Sequence, residues 1–189
     1  MARFHQLLLI ATFLPLCWFA VMAVHELGHI VGASVTGGSA TKVVLHPFTI
    51  SRTDVSPNPR PLAVAWAGPM VGVLAPLAML AVFKLAHVRW WYLIQFFAGF
   101  CLIANGAYVG VGSFDKIGDA CEMLRQGCPA WCLWLFGLAA VPLGLFLWHG
   151  LGRHFGLAHN GARVDRGAAY VSCGLLLATL LLEFALSPR

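Results

Sequence analysis

Five apolar stretches, each long enough to cross a lipid bilayer, dominate this sequence. They cover residues 7–35, 62–86, 90–111, 129–150 and 168–186. A membrane-spanning helix needs about 20 mostly apolar residues. The chain of 189 residues is 60% hydrophobic and only 10% charged, whereas soluble domains carry roughly 25% charged residues. The sequence therefore predicts an all-α polytopic membrane protein with five transmembrane helices, in which residues 1–189 form a single transmembrane domain.

The distribution of charge excludes one class of partner. The formal net charge is +5, but the twelve Lys and Arg residues are scattered singly along the chain. A nucleic-acid-binding surface needs such residues clustered in a patch or along one helix. We therefore expect no nucleic-acid partner. With five spans, the Lys and Arg residues also divide evenly between the two sides of the membrane, so the positive-inside rule leaves the orientation of the chain open.

The first loop, residues 36–61, differs in composition from the other loops. Between residues 42 and 55 it is dense in β-branched residues that partly alternate with polar ones. This pattern is typical of one or two short strands. Pro47 lies inside the stretch and predicts a bend or an edge strand there.

One motif in the first apolar stretch contains residues that can bind a metal ion and transfer a proton. It reads His25-Glu26-Leu27-Gly28-His29, an H-E-x-x-H pattern. On a helix, residues four apart project from the same face, so both imidazoles can bind one metal ion. Glu26 then lies beside them and can accept a proton from a water molecule on the metal, as in zinc metallopeptidases. Ionisable side chains inside a membrane span are energetically expensive and usually functional.

A catalytic zinc site needs a third protein ligand. Candidates for the same side of the membrane as the end of the first span are Asp115 and Asp119, which follow the third span, and His46 and Asp54 in the first loop. Two membrane crossings separate the motif from the region of Asp115 and Asp119, so both aspartates can reach the histidine pair. Spacing alone does not choose between them.

The remaining polar groups are expected to take no part in this site. His87 follows the second span and so lies on the far side of the membrane. The histidines after the fourth span, His149, His154 and His159, share that side. Glu183 is near the end of the fifth span, where its carboxylate is expected to reach the interface.

The order of several features resembles that in a known family. The H-E-x-x-H motif in an apolar helix is followed by Thr36-Gly37-Gly38, by the strand-like stretch, and by Ala67-Gly68-Pro69-Met70-Val71-Gly72 at the start of another apolar helix. This order resembles the site-2 protease family of intramembrane zinc metallopeptidases, in particular its small bacterial branch without a PDZ domain. The resemblance covers residues 24–124, and the last two spans have no counterpart motif.

The resemblance implies a complete set of zinc ligands. In that family a later Asp near the end of a membrane helix, usually followed by a small residue, is the third ligand. Gly118-Asp119-Ala120 best matches that position. The implied site is therefore Zn²⁺ held by His25, His29 and Asp119, with Glu26 as the general base.

Two further positions are candidates for substrate binding. Asn105 is a polar residue in an apolar span, and it either orients the substrate backbone or ties two helices together. Val44 lies in the strand-like stretch, which can hold an unwound substrate by strand addition. Backbone pairing of this kind holds an extended peptide without reading its sequence.

The expected function is an intramembrane zinc endopeptidase that cleaves a membrane-anchored protein within or next to its transmembrane segment. The alternative is a non-proteolytic, metal-binding membrane relative that binds substrate helices without cleaving them. A transporter is disfavoured because the five spans contain no visible inverted repeat. The expected partners are a single-span membrane protein and the lipid bilayer, with a homo-oligomer left open. The expected location is the bacterial cell (inner) membrane.

Overall fold

Six α-helices and a two-stranded sheet make up the part of the chain that the computed structural model describes, residues 2–157 and 164–186. The helices are α1 Ala2–Val35, α2 Pro61–Leu85, α3 Trp91–Asp115, α4 Gly118–Arg125, α5 Ala130–Trp148 and α6 Arg166–Leu186. The strands are β1 Ala40–Val44 and β2 Arg52–Val55, and a 3₁₀ turn, Leu151–Phe155, follows α5.

Five of these helices, all except α4, are long and apolar enough to cross a membrane. The chain therefore fits a multi-pass integral membrane protein, and the predicted all-α architecture with a short β segment is confirmed. The helices match the predicted spans most loosely at two ends. Helix α1 begins at Ala2 because long side chains such as Arg3 and Gln6 also favour a helix. Helix α3 continues to Asp115 and ends where Lys116 has a left-handed backbone with a φ of 52°.

The largest apolar core cluster lies between the N-terminal half of α1, α3, α6 and the 3₁₀ turn. On α1, Leu9, Phe13 and Cys17 recur every four residues and are buried. The Phe13 ring contacts the rings of Phe96 and Phe155, with centroid distances of 5.6 and 6.1 Å. This packing fixes α1 against its neighbours, and it therefore positions the motif that lies further along the same helix.

Glycines set the spacing between α3 and α5. A Cβ added to Gly110 would lie 3.3 Å from the Cα of Gly137, so the two helix backbones nearly touch there. In lipid, where hydrophobic driving force between helices is absent, such close approach is a main source of helix association.

The predicted strands are confirmed as an antiparallel hairpin. Val43 of β1 lies opposite Thr53 of β2, and Pro47 lies in the connection, where a bend is predicted. The ring of His46, in the same connection, meets the ring of Phe184 edge to face at a centroid distance of 5.1 Å. The tip of the hairpin therefore contacts the end of α6.

The prediction that the Glu183 carboxylate extends outward from the end of the fifth span is wrong. Its side chain is buried, with 6% of the residue exposed, and neither carboxylate oxygen has a hydrogen-bond partner among the described residues. Ser172, about three helical turns earlier, is buried on the same face of α6. Helix α6 packs against α1. Glu183 lies on the same buried face of α6 as Ser172, and it is therefore buried as well.

Of the four histidines expected on the far side, the three in the described part of the chain lie at the opposite end of the bundle from the motif. His87 is in the turn before α3, and His154 stacks on Tyr92 at the start of α3 with a centroid distance of 4.4 Å. His149 follows the end of α5. His159 lies outside the described residues.

Candidate metal site

The H-E-x-x-H motif lies on the C-terminal third of α1, as its spacing predicts. His25 and His29 are one helical turn apart, and their ring centroids are 4.8 Å from each other. The two Nε2 atoms point toward the same place and are separated by 3.1 Å. The sequence prediction that both imidazoles face one point is therefore confirmed.

Asp119 reaches this point from α4. The left-handed Lys116 ends α3 and turns the chain back, and Asp119 lies in the first turn of α4. Its Oδ2 atom is 2.8 Å from Nε2 of His25 and 3.3 Å from Nε2 of His29. Within the described part of the chain, these three side chains form a group that can hold a metal ion, with all ligand atoms within 4.8 Å of one another.

The other candidate ligands are elsewhere. Asp115 is exposed at the end of α3. Asp54 is on β2 beside Arg52, with 3.5 Å between Oδ1 and the guanidinium Nε. His46 packs against Phe184 at the hairpin tip. The structure thus groups Asp119, and none of these three, with the histidine pair.

Hydrogen bonds on the other side of each ring define which imidazole nitrogen carries a proton. Nδ1 of His29 is 2.8 Å from the backbone oxygen of Val64, and a carbonyl oxygen only accepts, so this nitrogen donates. Nδ1 of His25 is 2.7 Å from Oδ1 of Asn105. The amide of Asn105 is oriented by Nδ2, which donates to the backbone oxygen of Cys101 at 2.9 Å. His25 Nδ1 therefore donates as well.

Three hydrogen-bond acceptors consequently converge. With Nδ1 protonated on each neutral ring, both Nε2 atoms carry lone pairs, and Asp119 contributes a carboxylate oxygen. Such a cluster is satisfied by an extra proton or by a metal ion. In a tetrahedral site with bonds of 2.0–2.1 Å, ligand atoms lie about 3.3 Å apart, close to the separations seen here. The residues present therefore fit a metal ion.

Asp119 has the ionisation state that a ligand needs. Burial alone would raise the pKa of its carboxyl. When the extra proton lies on an imidazole Nε2, hydrogen bonds and electrostatic attraction to His25 and His29 outweigh burial and lower the pKa to about 2. The group is thus a carboxylate at neutral pH, and it can bind a cation without first losing a proton.

Glu26 lines the same cavity as the three acceptors without belonging to their group. It is 4% exposed, and its Oε2 atom accepts a hydrogen bond of 2.8 Å from the hydroxyl of Thr53. Thr53 is on β2, so the hairpin holds the carboxylate in place. Sequence reasoning missed Thr53, although it lies in the strand-like stretch 42–55.

Tyr108 is a second residue that sequence reasoning missed. Its hydroxyl oxygen accepts a hydrogen bond of 3.1 Å from the backbone N–H of Asp119. Its ring meets the His25 ring edge to face at a centroid distance of 5.6 Å. In the described part of the chain the hydroxyl proton has no acceptor, so it remains available to a bound molecule.

The two positions predicted to bind substrate have different surroundings. Asn105 of α3 accepts a hydrogen bond from His25 of α1, so it ties these two helices together, which is one of its two predicted roles, and it also orients the His25 ring. Val44 is paired with Arg52 in the hairpin, and it does not line the cavity at the site. That cavity has a volume of about 330 Å³, and it is bordered by β2 residues including Arg52 and Thr53, by Asp119 and Glu122, and by Asn58.

Gly68 of α2 gives the histidine pair the space it needs. A Cβ at this position would lie 2.5 Å from Nε2 of His29 and 2.9 Å from Nε2 of His25. We expect Gly68→Ala to displace one imidazole and to weaken metal binding by about 10- to 100-fold, the range typical of residues that orient metal ligands. Chelator competition on the purified protein measures this.

Gly112→Ala is the matched control for that variant. A Cβ at Gly112 would make only ordinary contacts, the nearest being 3.5 Å from the Ile117 side chain. Metal affinity should stay at the parent value in this variant. Equal affinities in the Gly68 and Gly112 variants would contradict the assigned role of Gly68.

In comparisons with known proteins, no family model, curated protein or solved structure matches the chain. The interpretation of the site therefore depends on its own geometry and chemistry.

Proposed function

We propose that this protein is an intramembrane zinc endopeptidase of the site-2 protease type, which cleaves a membrane-anchored protein within or next to its transmembrane segment. The observation that supports it best is the convergence of three acceptor atoms from His25, His29 and Asp119 in a cavity that Glu26 also lines. His25, Glu26 and His29 lie on α1, a helix that is long and apolar enough to span a membrane.

Zinc is the metal that we propose for this site. Two imidazoles and one carboxylate are a ligand set that suits Zn²⁺, and peptide hydrolysis needs no redox change. When bound, zinc supplies Lewis-acid polarisation of the scissile carbonyl and lowers the pKa of a water molecule. His25, His29 and Asp119 would hold the ion, and a fourth position would remain for that chemistry.

Glu26 is the general base in this mechanism. Its carboxylate accepts a proton from the attacking water and then returns the proton to the leaving amine. Thr53 holds one carboxylate oxygen and thereby fixes the direction of the other. Tyr108 can donate its hydroxyl proton to the carbonyl oxygen as negative charge develops there.

A transmembrane substrate has to unwind before it can be cleaved, because helical carbonyls are hydrogen-bonded and crowded. Unwinding exposes backbone N–H and C=O groups. We propose that β2 pairs with them by strand addition, because β2 borders the cavity at the site and β1 does not. Regulated proteolysis of membrane-anchored factors in the bacterial inner membrane is the biological setting that the family resemblance suggests.

Metal analysis and a cleavage assay together test this proposal. Protein purified gently and without chelators should contain about one zinc per chain, and His29→Ala should lose it. The zinc-loaded protein should cleave at least one member of a broad panel of single-span substrates. Stoichiometric zinc with capture but no cleavage of any substrate would favour the alternative, a metal-binding relative without protease activity.

Removal of the Thr53 hydroxyl should slow cleavage without releasing zinc. Thr53→Val keeps the shape of the side chain but removes the donor to the Glu26 carboxylate. A hydrogen bond to a charged group is worth about 1.5–3 kcal/mol, so we expect a rate about 10- to 100-fold lower. Thr53→Ser keeps the donor and should restore most of the activity.

The measurement is kcat on a cleaved substrate, with zinc content determined on the same samples. An unchanged kcat for Thr53→Val, or an equal loss for Thr53→Ser, would show that the hydroxyl does not position Glu26.

A further inference from the structure

A second cavity lies beside the metal site. It has a volume of about 360 Å³, and it lies between α1, α3 and the connection between β1 and β2. Its apolar lining residues are Trp18, Val21, Met22, Ile50 and Ala104. His25 and Glu26 line both this apolar cavity and the cavity at the metal site, which is the more polar of the two and is called the polar cavity below, so the two cavities meet at the site.

The apolar cavity extends from the site into the membrane-spanning part of the bundle. Trp18, Val21 and His25 recur at spacings of three and four residues and lie on one face of α1. From His25 back to Trp18 the helix axis covers about 10 Å, since each residue adds 1.5 Å. The polar cavity lies on the other side of the motif, against the hairpin and α4.

We propose that the apolar cavity binds a large aliphatic or aromatic side chain of the substrate, on the membrane side of the peptide bond that is cleaved. This inference rests on the proposed protease function and specifies its substrate class. The preferred substrate is a transmembrane segment cleaved where it leaves the membrane, with a bulky apolar residue on one side of the bond and polar residues on the other.

The volume of the cavity fits this occupant. A cavity of about 150 Å³ holds a benzene ring, so about 360 Å³ has room for an aromatic side chain and part of the adjoining backbone. A lipid acyl chain would fill the apolar part equally well. It would, however, leave His25, Glu26 and Asn105 facing hydrocarbon, which is unfavourable for polar groups. A peptide brings its own carbonyl and N–H groups to them.

The test uses single-span peptides that differ only at the residue on the membrane side of the cleaved bond. Mass spectrometry of the products locates that bond, and Ala, Leu or Phe is then placed beside it. The zinc-loaded protein in liposomes should prefer the Leu and Phe peptides over the Ala peptide by about 10- to 100-fold in kcat/KM, as expected when a hydrophobic pocket gains several carbon atoms.

Ala104→Leu narrows the cavity and should lower kcat/KM for the Phe peptide far more than for the Ala peptide. Ala107→Leu is the control, because Ala107 is also partly buried on α3 and does not line the cavity. The ratio of kcat/KM for the Phe peptide to that for the Ala peptide should be the same in Ala107→Leu as in the parent. If Ala104→Leu fails to fold, Trp18→Ala opens a wall of the cavity at a residue that is 55% exposed, and it should weaken the preference as well.

Three outcomes would overturn the inference. Equal cleavage of the Ala and Phe peptides by the parent would do so while still supporting the protease function. An equal loss for all peptides in Ala104→Leu, with zinc retained, would indicate that lipid fills the cavity. Absence of cleavage of every peptide by the zinc-loaded parent would overturn both this inference and the proposed function.

Discussion

Glu26→Gln should abolish cleavage and leave the metal site intact. The substitution keeps the size of the side chain and removes only the basic carboxylate. Loss of a general base lowers the rate by about 10²- to 10⁴-fold. Zinc should remain bound, because the three acceptors on His25, His29 and Asp119 are unchanged. We expect the variant to capture an intact substrate in a stable complex, whereas the parent yields fragments.

Glu122→Gln is the matched control for this prediction. Glu122 lines the same polar cavity, but its carboxylate is bound to Gln126 at the exposed surface of α4, with 2.8 Å between Oε1 and Nε2. Its loss should change cleavage little. Normal turnover by Glu26→Gln would rule out the proposed mechanism. A similar loss of cleavage activity in both variants would indicate that the reaction needs the negative charge of the cavity and not Glu26 as a specific base.

The framework of the site could be predicted because it depends on local periodicity. Apolar runs of sufficient length define the membrane helices, and a spacing of four residues places His25 and His29 on one helix face. The number of crossings then restricts the third ligand to the first loop or to the region after α3. The choice of Asp119 over Asp115 came from family resemblance, and the structure shows the physical basis. Lys116 reverses the chain, so Asp119 turns toward the histidines and Asp115 does not.

The residues that orient the site could not be predicted, because each acts across a long separation in sequence. The backbone oxygen of Val64 and the Thr53 hydroxyl leave no mark in composition or periodicity. Gly68 is indistinguishable in sequence from glycines that only pack helices. Within the hairpin, β2 borders the cavity and β1 does not. Thr53 on β2 therefore lines the cavity, whereas Val44 on β1 does not. Burial of Glu183 likewise depends on how α6 packs against α1.

Asp119→Ala should release the metal and thereby abolish cleavage. The substitution removes one of three ligands and leaves two imidazoles, which hold zinc far more weakly. Residues that only orient ligands change metal affinity by about 10- to 100-fold, so loss of a ligand should exceed about 100-fold. Zinc content after dialysis and affinity by chelator competition measure the effect. Asp119→Asn, which keeps the shape but loses the charge, should also weaken binding.

Asp115→Ala distinguishes a ligand from a nearby negative charge. Asp115 lies four residues earlier, at the exposed end of α3, and outside the group of three ligand atoms. Because charges at an exposed position are screened by water and salt, its removal should leave zinc content and cleavage near the parent values. The reverse ranking of the two variants would make Asp115 the third ligand. Retention of zinc by both would exclude the two aspartates and direct the search to His46 or Asp54 of the hairpin.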